Sequence, residues 1–197
     1  MAAGRRAETM EANRARLLAA ARTAFARDGF AAASMDELTA AAGLTRGALY
    51  HNFGDKRGLL AAVVAQVDGE MAARARSAAA AAPDRWTALL AEAAAYIAMA
   101  LDPEVRRIVL LDGPAFLGDP SRWPSQNACL ADTRTAIAAL IAEGVMRPVD
   151  VEAAARLLNG AALNAALWVA ASDSPDATLP RAVAAFELMA GGLRAPR

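Results

Sequence analysis

The side chains with the widest chemical repertoire are scarce in this chain of 197 residues, which has one histidine, one lysine and one cysteine. A Ser-His-Asp or Cys-His catalytic site needs a histidine beside its nucleophile, but His51 lies near Lys56 and far from Cys129. Structural zinc needs about four Cys or His ligands, and no glycine-rich phosphate-binding loop is present. We therefore expect no enzyme, no metal site and no bound cofactor.

A run of small, polar and basic side chains surrounds His51 and Lys56, and its chemistry suits the major groove of DNA. Arginine can pair with two acceptors of guanine, alanine can meet a thymine methyl, and lysine, tyrosine or a helix end can hold phosphate. Arg46 is our choice for a base contact. The full set of candidate DNA-binding residues is Ser34, Thr45, Arg46, Gly47, Ala48, Tyr50, His51, Asn52 and Lys56.

Two short helices and a tight turn, at about residues 34–53, must position this set. Ser34 and Thr45 are placed to cap the two helices, and Gly43 is placed to end the first. Asp55 then caps a third helix, so that Lys56 lies in its first turn, where free backbone N–H groups and a cation can meet one phosphate. An ordinary capped helix pair with solvated charges would show the same pattern.

The same stretch resembles the DNA-binding domain of TetR-type (TetR/AcrR) bacterial transcriptional regulators. The family pattern has an F-A-x-x-G-F/Y element at residues 25–30, a capped helix at residues 34–43, and a recognition helix that closes with Tyr50 and Phe53 before Lys56. Residues 38–40 depart slightly, because the family has a bulky aliphatic residue there. The resemblance covers roughly residues 11–71. It implies DNA contacts at the matching positions and a dimer.

Composition supports an all-α protein. The chain is 56% hydrophobic and alanine-rich, which favours helices, and no segment alternates as a strand would. No apolar run reaches the ~18 residues of a membrane span, so we expect a cytoplasmic protein without membrane contact. The net charge is zero, yet residues 1–57 hold nine basic and six acidic side chains and the rest hold twelve and fifteen. A basic N-terminal third fits a DNA-binding domain.

We predict two domains: an N-terminal three-helix DNA-binding domain at residues 11–71, with its helix-turn-helix, and a C-terminal helical ligand-binding and dimerisation domain at residues 72–197. A short helix after Asp102 is expected to end at Gly113-Pro114, and residues 115–124 are expected to form a loop. The last two helices, at about residues 150–171 and 176–193, are apolar on two faces. They suit a four-helix bundle between two subunits, or one thick internal core.

Seven residues are candidates for lining a ligand pocket among the helices between about residues 84 and 171. They combine apolar bulk with a few polar groups, as ligand pockets do, although ordinary core packing would use the same residue types. No ionised side chain is expected inside, which favours a neutral aromatic or aliphatic ligand. The candidates are Tyr96, Met99, Phe116, Trp123, Asn127, Asn164 and Trp168.

These features together predict a ligand-responsive transcriptional regulator. As a homodimer it would bind a palindromic operator in double-stranded DNA, with two recognition helices about one helical turn apart. We expect a repressor that a small apolar effector releases from DNA. One alternative is a DNA-binding activator or architectural protein without a small-molecule ligand. Another is a helical enzyme or binding module that merely retains the motif.

Overall fold

The computed structural model describes the backbone of residues 2–196 and the side chains of residues 8–196. The all-α prediction is confirmed: within this described part, the β-type pairing is one isolated bridge between Met146 and Arg194. None of the described helices is long and apolar enough to cross a bilayer. The helices are α1 (Ala2–Asp28), α2 (Met35–Ala41), α3 (Arg46–Phe53), α4 (Lys56–Ala80), α5 (Arg85–Ala98), α6 (Pro103–Val105), α7 (Gly113–Leu117), α8 (Pro124–Ala142), α9 (Val151–Ala171) and α10 (Pro175–Gly191).

Helices α1 to α3 and the first half of α4 enclose a small apolar core. Leu17, Phe25, Leu49 and Leu59 are completely buried there, and each such side chain stabilises the fold by about 1.5–3 kcal/mol. This core fixes α3 on the surface of the unit, because Leu49 is the one position of α3 that is fully withdrawn from solvent.

The C-terminal unit is built on α4 and α5, which pack along each other, and on α9, which packs between α5, α8 and α10. Ile97, Ile137 and Leu140 are fully buried at the inward positions that the sequence predicts. The two apolar stripes of α9 have different surroundings. Leu158 and its stripe face inward, whereas the stripe that contains Leu157 faces outward, with that side chain 73% exposed.

The expectation that Gly113-Pro114 ends a helix is wrong. Helix α6 continues into a π-helical segment, Arg106–Asp112, in which the Gly113 N–H donates to the Ile108 carbonyl oxygen. Proline lacks an N–H and its ring collides with the preceding turn of an α-helix. The wider π turn displaces the carbonyl that would collide, so the helix passes Pro114 and ends at Leu117. Gly118, with a φ of 90°, then reverses the chain, and Pro120–Arg122 form a single 3-10 turn.

Polar contacts tie the N-terminal unit to this π-helical segment. The Phe30 N–H donates to Asp112 Oδ2 at 2.7 Å, and Asp112 is buried. Arg107 donates to the same carboxylate at 3.3 Å and to the Asp28 carbonyl oxygen at 3.4 Å. The Phe116 ring lies with its centroid 4.5 Å from that of Phe30. We call this group of five residues the joint.

A second contact between the units lies on the other side of α1. Arg22 forms a bidentate pair with Glu70 on α4, at 2.7 Å, and another with Glu104 on α6, at 2.6 and 2.8 Å. The two carboxylates raise the pKa of the Arg22 guanidinium, chiefly through the hydrogen bonds that Arg22 donates to Glu104 and then to Glu70. Two paired carboxylates hold one side chain more firmly than an isolated surface ion pair would. Arg22 therefore links α1 to both α4 and α6.

Candidate nucleic-acid interface and internal cavity

Three helix caps place α3, and all three are where the sequence predicts them. Ser34 Oγ accepts a hydrogen bond from the Glu37 N–H, Thr45 Oγ1 accepts from the Ala48 N–H, and Asp55 Oδ1 accepts from the Gly58 N–H. Gly43, with a φ of 62°, makes the turn between α2 and α3 in the left-handed region that favours glycine. The helix-turn-helix geometry therefore follows from local sequence.

The outward face of α3 carries the predicted residues. Arg46, Gly47, Tyr50 and His51 are exposed, and Ala48 is half-buried. Asn52 is also half-buried, and its amide nitrogen donates to the Ala48 carbonyl oxygen at 2.7 Å, which leaves the amide oxygen as its free polar atom. A Cβ at Gly47 would touch only Thr45 Oγ1, at 3.7 Å. Gly47 is not required by the packing; its effect is to leave the face flat.

Arg46 is held by an acidic neighbour on α2. Its guanidinium donates to Asp36 in a bidentate pair, at 2.5 and 2.6 Å, and both side chains are largely exposed. The hydrogen bonds from Arg46 hold the pKa of the Asp36 carboxyl below its usual range. An exposed ion pair contributes little net stability, so Arg46 can leave Asp36 at small cost.

Lys56 leans back towards the turn between α1 and α2. Its Nζ lies 4.5 Å from the centroid of the Phe30 ring and donates to the Ala31 carbonyl oxygen at 3.4 Å. Partial burial lowers the pKa of Lys56. The side chain is thus positioned at the base of α4, next to the joint, instead of extending freely into solvent.

The sequence analysis did not identify two residues that support α3. Arg14, on α1, places its guanidinium carbon 4.8 Å from the centroid of the Phe53 ring. A Cβ at Gly58 would lie 2.0 Å from the Phe53 carbonyl oxygen, so only glycine lets the first turn of α4 approach the end of α3. For Gly58 the available signal was a glycine inside a helix. Glycine there lowers helix stability, so its presence indicates a close contact that a larger side chain would prevent.

An internal cavity of about 70 Å³ lies between α4, α5, α8, α9 and α10. Its wall is mostly apolar, with a polar patch on α5, α8 and α9. The lining residues are Ala72, Ala75, Leu89, Glu92, Ala93, Tyr96, Gln126, Cys129, Thr133, Leu158, Asn159, Ala162 and Phe186. Among the candidates chosen from sequence, Tyr96 lies in this wall.

Titratable side chains lie in or beside the polar patch of the wall, where the sequence predicts no ionised group. Burial raises the pKa of Glu92, of Cys129 and of Tyr96, and for Tyr96 the nearby Asp68 raises it further. Asp68 itself is 2% exposed and accepts a long hydrogen bond, 3.5 Å, from the Gln126 amide. Helical spacing alone did not show that Asp68 and Glu92 face inward, because the charged residues of an amphipathic helix usually lie on its solvent face.

The other six candidates do not come together at the cavity. Met99 is a core residue with 5% exposure, and Phe116 belongs to the joint. Trp123 packs its ring against Gly113, and Asn127 lies in a shallow surface depression beside the cavity. Asn164 and Trp168 are on the outward stripe of α9. For Asn164 and Trp168 the cause is the rotation of α9: sequence shows two apolar stripes, but it does not show which of them faces the interior.

Comparison with known families settles what kind of protein this is. The sequence matches the profile of bacterial regulatory proteins of the tetR family over residues 17–63, and that of the tetracyclin repressor-like C-terminal domain over residues 86–193. The chain belongs to the TetR family. Members of this family are DNA-binding transcriptional regulators and not enzymes, which confirms the expectation from sequence. Among curated proteins, none matches the chain.

Solved structures agree with the TetR assignment. A TetR-family transcriptional regulator from Pectobacterium atrosepticum is 47% identical, with 96% of this chain and 98% of that one aligned and a TM-score of 0.88. RolR in complex with resorcinol is 20% identical, covers 93% and 89%, and has a TM-score of 0.72. A TetR-family protein from Mesorhizobium loti is 21% identical, covers 95% and 98%, and has a TM-score of 0.68. The last two show a shared fold.

Proposed function

We propose that this TetR-family protein is a homodimeric repressor that binds a palindromic operator and is released by a small, mainly apolar molecule. The observation that carries the proposal is the span of α4. Its first turn follows α3 directly, and further along it contributes Ala72 and Ala75 to the cavity wall. One rigid element therefore touches both candidate sites. Such a regulator works where the chromosome is, in the bacterial cytoplasm.

The size of the cavity determines how an effector would act on α4. A cavity that holds benzene measures about 150 Å³, roughly twice the volume found here. A ring-sized effector would have to push α4 and α5 away from α8 and α9. The effector would then favour a wider state over the present one, and that difference in affinity is what a ligand needs in order to shift a conformational equilibrium.

The dimer would form through the outward faces of α9 and α10. Large apolar side chains lie exposed there, including Leu157, Trp168 at 45%, Leu188 at 81% and Met189 at 51%. The Arg181 guanidinium lies over the Trp168 ring, 5.5 Å from its centroid. Contiguous exposed apolar surface on a folded protein marks an interaction site. Pairing two copies of this face would make the four-helix bundle expected from the sequence.

We propose that the nine residues chosen from sequence contact DNA, with Arg46 at a base edge. Arg46→Ala is expected to reduce discrimination between the preferred sequence and its variants at one base pair per half-site, by about 1–3 kcal/mol. Competition binding with a set of single-base operator variants measures this directly. An unchanged preference profile at every position would show that Arg46 does not read a base.

Lys56→Ala serves as the matched comparison, because a phosphate contact carries no sequence information. The variant is expected to weaken binding evenly over all operator variants and to flatten the plot of log affinity against log salt by about one. Titrations at four or more salt concentrations give that slope. If affinity and slope are both unaltered, Lys56 does not contact phosphate and its role is to pack on Phe30.

Selection of bound sequences from random double-stranded DNA tests the whole proposal. The expected product is an inverted repeat whose half-site centres are about 10 base pairs apart. A direct repeat or a single half-site would contradict the two-fold dimer. No enrichment at all would contradict the DNA-binding role and favour a binding module that only retains the motif.

The second candidate is a DNA-binding activator or architectural protein without an effector. The small volume of the cavity favours it, because 70 Å³ is space for a few water molecules and not for a ring. The two candidates differ in one measurement. Addition of ring-sized compounds would change operator affinity in the ligand-responsive protein and would leave it unchanged in the other.

A further inference from the structure

A carboxyl group in the cavity wall is without a partner. Glu92 lies on α5, half-buried, and its carboxyl makes no hydrogen bond or ion pair with any described residue of the chain. The positive charge of Arg76 acts on it from a distance, and Arg76 pairs with Asp132 at 3.8 Å. Asp132 itself acts on Glu92 as a like charge. A charged hydrogen bond from a positive group in the cavity would give this half-buried carboxylate the partner that it lacks.

The polar groups that line the cavity together with Glu92 carry no positive charge. The Tyr96 hydroxyl is buried in the wall and lacks a well-formed hydrogen bond among the described residues. Asp68 lies behind it and adds a second carboxyl. The cavity lining contains no arginine, lysine or histidine within the described part of the chain. Such a wall disfavours an anion, because a carboxylate or phosphate there would meet the Glu92 carboxyl, with Asp68 behind Tyr96, and no positively charged side chain in the lining.

The rest of the wall sets the shape of what could bind. Alanine, leucine and phenylalanine side chains from four helices surround the polar patch. They offer apolar contact and no further hydrogen bonds. A ligand that satisfies both parts has one positively charged end and one compact apolar body.

We propose that the effector of this protein is an organic cation, in which an ammonium group donates hydrogen bonds to the Glu92 carboxylate and the Tyr96 hydroxyl oxygen while a ring-sized apolar body occupies the alanine-lined part of the cavity after α4 and α5 have moved away from α8 and α9. The inference rests on the proposed ligand-responsive function, and it replaces the neutral effector expected from sequence. Hydrogen bonds to a charged group are about twice as strong as neutral ones, so the charge decides between ligands of equal shape.

Three probes with one phenylethyl body test the proposal: 2-phenylethylammonium, 2-phenylethanol and 3-phenylpropionate. Calorimetric titration of the full-length protein is expected to give the order cation, alcohol, anion, with the cation bound about tenfold more tightly than the alcohol. Glu92→Gln keeps the shape of the side chain and is expected to abolish that preference while leaving alcohol affinity unchanged. Glu143→Gln, an exposed change at the end of α8, is the control and should behave as the unmodified protein.

The proposal is overturned if the alcohol or the anion binds as tightly as the cation, if Glu92→Gln retains the preference, or if none of the three probes binds. Operator release separates this from the proposed function. If the alcohol or the anion releases DNA and the cation does not, the ligand class is wrong and the ligand-responsive regulator stands. If the protein binds no selected DNA, the proposed function fails whatever the probes do.

Discussion

Leu188→Glu is expected to yield a folded monomer whose operator affinity is at least about a hundredfold lower, because the second half-site contact is lost with the dimer. Leu188 is 81% exposed in the single subunit, so glutamate at this position meets solvent and not the core. In a dimer formed through α9 and α10 the same carboxylate would be desolvated against its symmetry mate. Sedimentation and operator titration measure the two effects.

The matched control for Leu188→Glu is Ala138→Glu, which places the same charge on an exposed position of α8, away from the apolar face. It should remain dimeric and bind the operator normally. Circular dichroism on both variants checks that helix content is retained. If the Leu188→Glu protein still sediments as a dimer, the dimer interface does not lie on this face.

Asp112→Ala is expected to reduce the free energy of unfolding by about 2–3 kcal/mol. The Phe30 N–H, which donates to Asp112 at 2.7 Å, would be left without an acceptor within the joint. Arg107 is 45% exposed and can turn to water, so it adds little to the loss. Urea denaturation at one fixed protein concentration measures the change, since dimerisation makes apparent stability depend on concentration.

Two further variants define how Asp112 acts. Asp112→Asn keeps one acceptor oxygen for the Phe30 N–H and should lose about half as much. Asp173→Ala changes an exposed aspartate in the turn between α9 and α10 and should alter stability by less than about 0.5 kcal/mol. If Asp112→Ala also changes the free energy of unfolding by less than about 0.5 kcal/mol, the joint does not depend on this carboxylate.

Local sequence determined the N-terminal unit well. Ser34, Thr45 and Asp55 cap three helices at the predicted residues, because a cap needs only a side-chain oxygen and an N–H three residues later. Gly43 likewise ends a helix through its own backbone freedom. The fold class followed from the same kind of local information, since helix propensity and apolar periodicity act within a few turns.

Sequence was less informative where the outcome depends on packing between distant segments. The passage of the helix through Pro114 depends on π turns that bring Asp112 to Phe30, and neither residue alone signals the contact. Which residues of α9 line the cavity depends on the rotation of this helix about its axis, because its two stripes are almost equally apolar. The pairing of Arg46 with Asp36 joins two helices whose relative angle is set by their common core.

Four alanines in the cavity wall, Ala72, Ala75, Ala93 and Ala162, leave the protein open to evolutionary change. Exchange of alanine for leucine or methionine in a helix alters intrinsic helix propensity only slightly, while it adds several carbon atoms to the wall. Single mutations at these positions can therefore reshape the cavity and leave the helices in place. If the cavity binds an effector as we propose, the same scaffold can pass from one effector to another by small steps, with its N-terminal unit unaltered.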